Sequence, residues 1–72
     1  MQFGEHFKKA RKQSKRSQKQ VADALGIHQS NISDWENDVS RPSLEYLIAL
    51  AHLYEVTLYE LLGLDDPFFP TK

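Results

Sequence analysis

The 72-residue sequence predicts an all-α fold of five short helices. Three observations predict it. Apolar residues recur at spacings of three and four along five successive stretches, which is the mark of helical faces. Two of those stretches open on a capping-box pattern, Ser17 to Gln20 and Thr57 to Glu60, and both close on a glycine, Gly26 and Gly63. No stretch alternates apolar and polar residues as a half-buried strand does. The connections are a few residues long, as in a helix bundle.

The first segment runs from about Gln2 to Ser14. Phe3, Phe7, Ala10 and Ser14 fall on one helical stripe, and lysines with Arg11 fill the other faces. Gly4 weakens its start. The second segment is capped by Ser17, turns Val21, Ala22 and Leu25 inward, and ends at Gly26. Ile27 follows as an apolar residue just past the cap. The third runs from about His28 to Asn37, with Ile32 and Trp35 as its apolar positions. Gln29, Ser30, Ser33, Asp34 and Asn37 share the opposite face. That face is short-chained and rich in hydrogen-bonding groups, where a merely solvated face would more often carry Glu and Lys.

The fourth segment follows the loop DVSRPS and is capped by Ser43, with Glu45 in its first turn. It carries two apolar stripes, one of Leu44, Leu47, Ile48 and Ala51, the other of Tyr46, Leu50 and Leu53. A helix apolar on two sides is central to a core or shared with an interface. The fifth is capped by Thr57, turns Leu58, Leu61 and Leu62 inward and stops at Gly63. The chain thus divides into a helical domain over residues 1–64 and an extended tail, LDDPFFPTK at its junction, over residues 65–72. Phe68 and Phe69 in that tail either fold back on the same chain or cover a partner subunit.

Composition bounds the function. One small domain is all this length allows, and a core of this size gains from good helix packing or from oligomerisation. There is no cysteine, and His6, His28 and His52 have no metal-ligand spacing. The sequence therefore predicts neither metal nor cofactor. The longest nearly apolar run, Tyr46 to Tyr54, is too short for a bilayer, and the N-terminus lacks a signal-peptide core. A soluble cytoplasmic protein is expected. Ser, His and Asp occur in no catalytic arrangement, and Asp65-Asp66 is an acidic pair in a tail, so no enzyme is expected. The net charge of −1 hides an asymmetry. Residues 1–19 carry Lys8, Lys9, Arg11, Lys12, Lys15, Arg16 and Lys19 against the single acid Glu5, and nine of the ten acids lie beyond. The basic end faces a polyanion, or it is a solvated helix face.

From Ser17 to Asn37 and beyond, the chain resembles the Cro/repressor-type (XRE-like) helix-turn-helix family of prokaryotic and phage transcription regulators. Ser17-Gln18, Val21-Ala22, Gly26-Ile27, Ile32-Ser33 and Trp35-Glu36-Asn37 carry the resemblance. Arg41-Pro42-Ser43, Leu47, Ala51, Leu53, Val56 and Leu61-Leu62 extend it over about residues 3–64. It implies a compact lambda-repressor-like five-helix bundle whose second and third helices form the helix-turn-helix. The third helix would lie in the DNA major groove and the second across the backbone. Carried over by position, His28, Gln29, Ser30, Ser33 and Asp34 are the base-reading residues. Gln29 leads, because a carboxamide pairs bidentately with adenine. Ser17, Gln18, Lys19, Asn37 and Arg41 are the phosphate contacts, with Gln18 at a helix N-terminus where amides and dipole favour an anion. Arg11 and Glu36 match an ion pair that ties the first helix to the end of the third.

Three positions depart from the family pattern. Asp38 stands where glycine is usual and must tolerate a left-handed backbone. His28 stands where Ser or Thr usually caps. Asp34 puts a negative charge toward DNA, where it either accepts from cytosine N4 or excludes other bases. The expected partner is a double-stranded DNA operator, bound by a homodimer assembled through the fourth and fifth helices and the tail. From length alone, regulation is expected through the protein's own concentration or a regulatory protein partner. Two alternatives stay open: a protein-interaction module of antitoxin or adaptor type, kept in play by Asp34, Glu36 and Asp38, and a nucleoid-type binder without sequence preference.

Overall fold

The computed structural model describes residues 2–65. Phe68 and Phe69, and with them the tail's expected part in a dimer, lie outside the described residues. Five helices follow in order: α1 (Gly4–Gln13), α2 (Gln18–Leu25), α3 (Gln29–Glu36), α4 (Leu44–Tyr54) and α5 (Leu58–Leu62). No strand occurs among the described residues. The N-termini follow the sequence signals. Ser17 Oγ accepts the Gln20 amide at 3.0 Å while Gln20 Oε1 accepts the Ser17 amide at 2.8 Å. Thr57 and Glu60 repeat this reciprocal pair at 3.0 and 2.9 Å. Ser43 caps α4 through the Tyr46 amide. Each closure satisfies donors that the first turn of a helix leaves without internal partners.

All five helices end in the same way. A residue in the left-handed conformation follows the last turn, and the next amide reaches back five residues to a helical carbonyl. The left-handed residues are Lys15, Gly26, Asp38, Glu55 and Gly63. The back-reaching bonds run from Arg16 to Arg11, Ile27 to Ala22, Val39 to Asp34, Val56 to Ala51 and Leu64 to Tyr59, between 2.8 and 3.3 Å. Only two of these positions are glycine; Asp38 tolerates the geometry through its short polar side chain, while Lys15 and Glu55 hold one that costs an ordinary L-residue about 1–2 kcal/mol.

The core lies where α1, α2, α3, α4 and α5 converge, around the fully buried Val21, Ile32, Leu50 and Leu61. Phe7 and Ala10 bring the inner stripe of α1 to it, and Trp35 packs on Tyr46 with ring centroids 5.4 Å apart. Trp35 is thereby a core residue. Burying side chains of this kind is the dominant stabilising term, on the order of 1.5–3 kcal/mol each.

Two details of the sequence reading change. The inner face of α4 is formed by Leu50, Ala51 and Tyr54, with Leu47 at its edge, while Leu44 is 66 % and Ile48 42 % exposed. The stripe that combined Leu44 and Ile48 with Ala51 is therefore split by the helix's orientation on α1 and α5. Gly4 is not a weak spot in α1. A Cβ there would run into the Glu36 carbonyl, and the Gly4 amide donates to Asp38 Oδ1 at 2.9 Å. Glycine lets the start of α1 sit directly against the end of α3, and Asp38, which follows α3, supplies the cap that Phe3 has no side chain to give.

Candidate nucleic-acid interface

Helices α2 and α3 meet at Gly26, whose left-handed geometry (φ 70°) lets the chain reverse with Ile27 tucked toward the core. Val21, Ala22, Ile32 and Trp35 hold the two helices together from within. The other side of α3 is left to solvent. His28, Gln29 and Ser30 are exposed at its N-terminal end, and Ser33 and Asp34 are half-buried one turn further on. Asn37 is exposed past its end. The five expected base-reading residues thus share one surface.

Their local bonding differs in ways the sequence did not reveal. Asn37 Nδ2 donates to the Ser33 carbonyl at 2.9 Å and to Ser33 Oγ at 3.2 Å, so the end of α3 is braced by its own side chains. The Asp34 carbonyl accepts the amides of Val39 and Ser40, which folds the following loop under the helix. His28 has extended backbone angles and starts the helix with no side-chain capping bond. Asn31, passed over in the sequence reading, is also exposed on α3, at the flank beside Trp35.

At the start of α2 the capping box takes the amides of Ser17 and Gln20. The amides of Gln18 and Lys19 belong to the same turn, at the positive end of the helix dipole, where an anion is favoured. Lys19 lies beside them in an exposed pair with Asp23 at 3.3 Å, of the kind that solvent screens to little consequence.

The side chain of Gln18 is not turned outward as a phosphate-anchoring role for it would suggest. Its Nε2 donates to Glu36 Oε1 at 3.0 Å, and its Oε1 accepts from Gln29 Nε2 at 3.4 Å. Glu36 is the inner partner of the expected ion pair with Arg11. Arg11 Nε donates to Oε2 at 2.6 Å and Nη2 to Oε1 at 3.1 Å, with the two side chains only 9 % and 3 % exposed. The remaining Arg11 nitrogen donates to the Arg16 carbonyl at 2.8 Å, in the turn between α1 and α2. The hydrogen bond to Glu36 raises the Arg11 pKa above its ordinary value, with burial opposing and the Glu36 charge assisting. Beside the pair, burial and then the Glu36 charge push the Tyr54 hydroxyl well above the ordinary tyrosine range. A fork-to-fork pair of this kind fixes geometry, since its attraction is largely offset by the desolvation of both charges.

Arg41, expected at a phosphate, stands over the Phe3 ring with its guanidinium carbon 5.7 Å from the centroid. This stacking joins the loop after α3 to the start of α1 and leaves Arg41 on the exposed surface. Among the described residues no cluster of His, Cys, Asp or Glu has a metal-binding arrangement, and no helix is long and apolar enough to cross a membrane.

A family profile described as helix-turn-helix matches residues 7–61, which includes all of α2, α3 and α4. Three relatives are similar over most of this chain. The HTH-type transcriptional regulator ImmR of Bacillus subtilis is 36 % identical over 66 residues, covering 92 % of this chain and 52 % of the relative. The HTH-type transcriptional regulator AnsR of the same organism is 45 % identical over 53 residues, covering 74 % and 46 %. The HTH-type transcriptional activator BcrR of Enterococcus faecalis is 32 % identical over 63 residues, covering 88 % and 31 %. The chain spans about half the length, or less, of these curated relatives. With the five-helix architecture and the matched helix-turn-helix in place, the chain belongs to the XRE-type helix-turn-helix family of transcriptional regulators.

Proposed function

We propose that the chain is a sequence-specific double-stranded DNA-binding transcription regulator that acts as a homodimer on a two-fold operator, most simply as a repressor. One observation carries the reading: Gln29 and Ser30 stand exposed at the leading end of α3, next to the first-turn amides of α2. An α-helix fits the major groove, where short polar side chains meet base edges, while amides at a neighbouring helix start hold a phosphate. In this reading His28, Gln29, Ser30, Ser33 and Asp34 face the bases. Ser17, Lys19, Asn37, Arg41 and the Gln18 backbone face phosphates. The work takes place on DNA in the cytoplasm.

The protein-module alternative loses part of its support. Of the three acids that favoured it, Glu36 is consumed by Arg11 and Gln18, and one oxygen of Asp38 by the Gly4 amide. Asp34, and the exposed Asp38 with its second carboxylate oxygen, are left to face a partner.

The dimer reading is supported by Leu44 and Ile48, exposed on α4, and by the shallow groove where Ile48, Ala51, Val56 and Leu58 come together. A second copy laid across this face would make the two-fold dimer, and dimers of this class read half-sites about 34 Å apart. Ile48→Asp is expected to shift the protein to monomer in sedimentation velocity while leaving its helical circular dichroism intact. An unchanged sedimentation coefficient would remove this face from the interface.

Selection from random duplexes, followed by titration at several salt concentrations, tests the function. The expected winner has two-fold symmetry and binds on the order of a thousand-fold tighter than scrambled DNA. Gln29→Ala is expected to relax one position per half-site by about 1–3 kcal/mol, and Arg41→Ala to weaken all duplexes alike. Equal, steeply salt-dependent binding to every duplex would instead favour a nucleoid-type binder. No binding at low salt would reject the DNA reading.

A further inference from the structure

We infer that Phe3 is a positioning residue for DNA binding: its ring, anchored to the core and to the end of α3, holds the Arg41 guanidinium in place for a backbone phosphate. The inference rests on the reading of Arg41 as a phosphate contact given above.

Phe3 is itself held in place. Its ring packs on that of Phe7, centroids 6.4 Å apart and planes tilted by 38°, and Phe7 is a core residue. Its carbonyl accepts the amides of His6 and Phe7 at 3.0 and 3.1 Å, which ties its backbone to the first turn of α1. The next residue, Gly4, sits so close to α3 that a Cβ would run into the Glu36 carbonyl, and its amide donates to Asp38 Oδ1 at 2.9 Å. Phe3 therefore keeps a fixed place relative to the end of α3 and to the loop that leaves it.

Arg41 is held both at its backbone and at its tip. Pro42, which follows it, is buried, and a residue before proline is kept out of the helical region. That fixes where the Arg41 side chain leaves the loop. The side chain itself has several rotatable bonds, and ordering them on binding costs affinity. The Phe3 ring removes part of that cost by keeping the guanidinium carbon 5.7 Å from its centroid before DNA arrives. The attraction is between a cation and a ring face. It uses no hydrogen bond to the ring, so it is compatible with a guanidinium fork that meets a phosphate. Asn37, the other phosphate contact expected in this loop, lies one residue before Asp38, so the same clamp on the start of α1 braces both. A half-buried aromatic at the start of α1, outside the helix-turn-helix itself, thus acts on DNA affinity through Arg41.

The test is a double-variant cycle on the full chain, read by titration of operator and scrambled duplexes at several salt concentrations. Phe3→Leu and Phe3→Met keep an apolar side chain of similar size at a half-buried position and remove the ring. Helical circular dichroism confirms the fold of each, and either one suffices for the cycle. Phe3→Tyr keeps the ring face. Arg41→Gln removes the charge and is expected to weaken every duplex and to lower the salt slope by about one. The ring-free variants are expected to weaken every duplex about two- to fivefold, the size of an exposed cation–π contact. Phe3→Tyr is expected to bind as the parent chain does. Combined with Arg41→Gln, Phe3→Leu is expected to cause no further loss. An equal loss from Phe3→Leu with Arg41 present or replaced would make Phe3 a purely structural residue and overturn the inference. Tighter binding by Phe3→Leu would mean that the ring competes with DNA for Arg41, and unchanged binding that the ring does nothing for it; each overturns the inference as well. If Arg41→Gln changes neither affinity nor slope, the phosphate reading of Arg41 fails and the inference falls with it. If the parent chain binds no duplex at low salt, the proposed function itself fails.

Discussion

Asp38 holds two jobs in one residue, and substitutions can separate them. Its backbone is left-handed at φ 61°, and its side chain accepts the Gly4 amide at 2.9 Å across 34 residues of sequence. Asparagine keeps an acceptor oxygen and tolerates the backbone, so Asp38→Asn is expected to cost within about 0.5 kcal/mol, mainly the lost charge at a helix N-terminus. Glycine suits the backbone and loses the cap. The cap is worth about 1 kcal/mol, and relief of the left-handed strain is largely offset by the freedom glycine regains on unfolding. Asp38→Gly is expected to cost about 0.5–1 kcal/mol on those terms. Alanine fails at both jobs, and the sum of cap and backbone is about 2–3 kcal/mol. Thermal unfolding followed at 222 nm reads the series, since 1 kcal/mol moves the midpoint of a domain this small by roughly 4–8 °C. The expected order of midpoints is Asp, Asn, Gly, Ala, with Ala on the order of 10 °C or more below Asp. Glycine and alanine falling together would mean that the backbone geometry carries no cost. Alanine matching asparagine would mean that the contact with Gly4 contributes nothing to holding α1 against α3.

Three further outcomes follow from the same geometry. Glu55 holds a left-handed position beyond α4 (φ 57°), so Glu55→Gly is expected to raise the thermal midpoint, by roughly 0.5–1 kcal/mol of added stability; a lowered midpoint would contradict this. Glu36→Ala leaves the Arg11 charge buried without its partner and is expected to cost about 3–5 kcal/mol in urea unfolding. The apolar replacement Arg11→Met/Glu36→Leu is expected to be near neutral or stabilising; equal losses in the two would show that the pair itself carries stability. The Tyr54 hydroxyl titrates above its unfolded value of about 10, so its contribution is full below that pH and is lost as pH rises from there toward the folded pKa. Stability is expected to decline above about pH 10, and Tyr54→Phe to flatten that decline; an unaltered alkaline slope in the variant would assign it elsewhere.

The helices and their starts were legible in the sequence because the interactions that make them are local. Ser17 with Gln20, and Thr57 with Glu60, are three residues apart and close the same reciprocal bonds in almost any surroundings. Gly26 and Gly63 marked two ends, since glycine enters the left-handed region without penalty. Lys15 and Glu55 marked nothing, because a lysine or glutamate takes that conformation only when the surrounding fold compels it. The Arg11–Glu36 pair was legible through family resemblance alone, as 25 residues separate its partners. The candidate interface was legible as a set of residue types on one helical face.

Local pattern by itself determined five helices, their order, and a polar face on α3 opposite Ile32 and Trp35. Only the tertiary structure decided which stripe of α4 meets the core, leaving Leu44 and Ile48 outside. It also decided that Gly4 is the point where α1 meets the end of α3, that Asp38 caps α1 from a distance, and that Gln18 turns inward to Glu36. The physical reason is one of range. Periodicity and capping depend on neighbours within one or two turns, whereas the direction of a side-chain amide, or the side of a helix that is buried, depends on which distant groups the packed fold brings within about 3 Å of it.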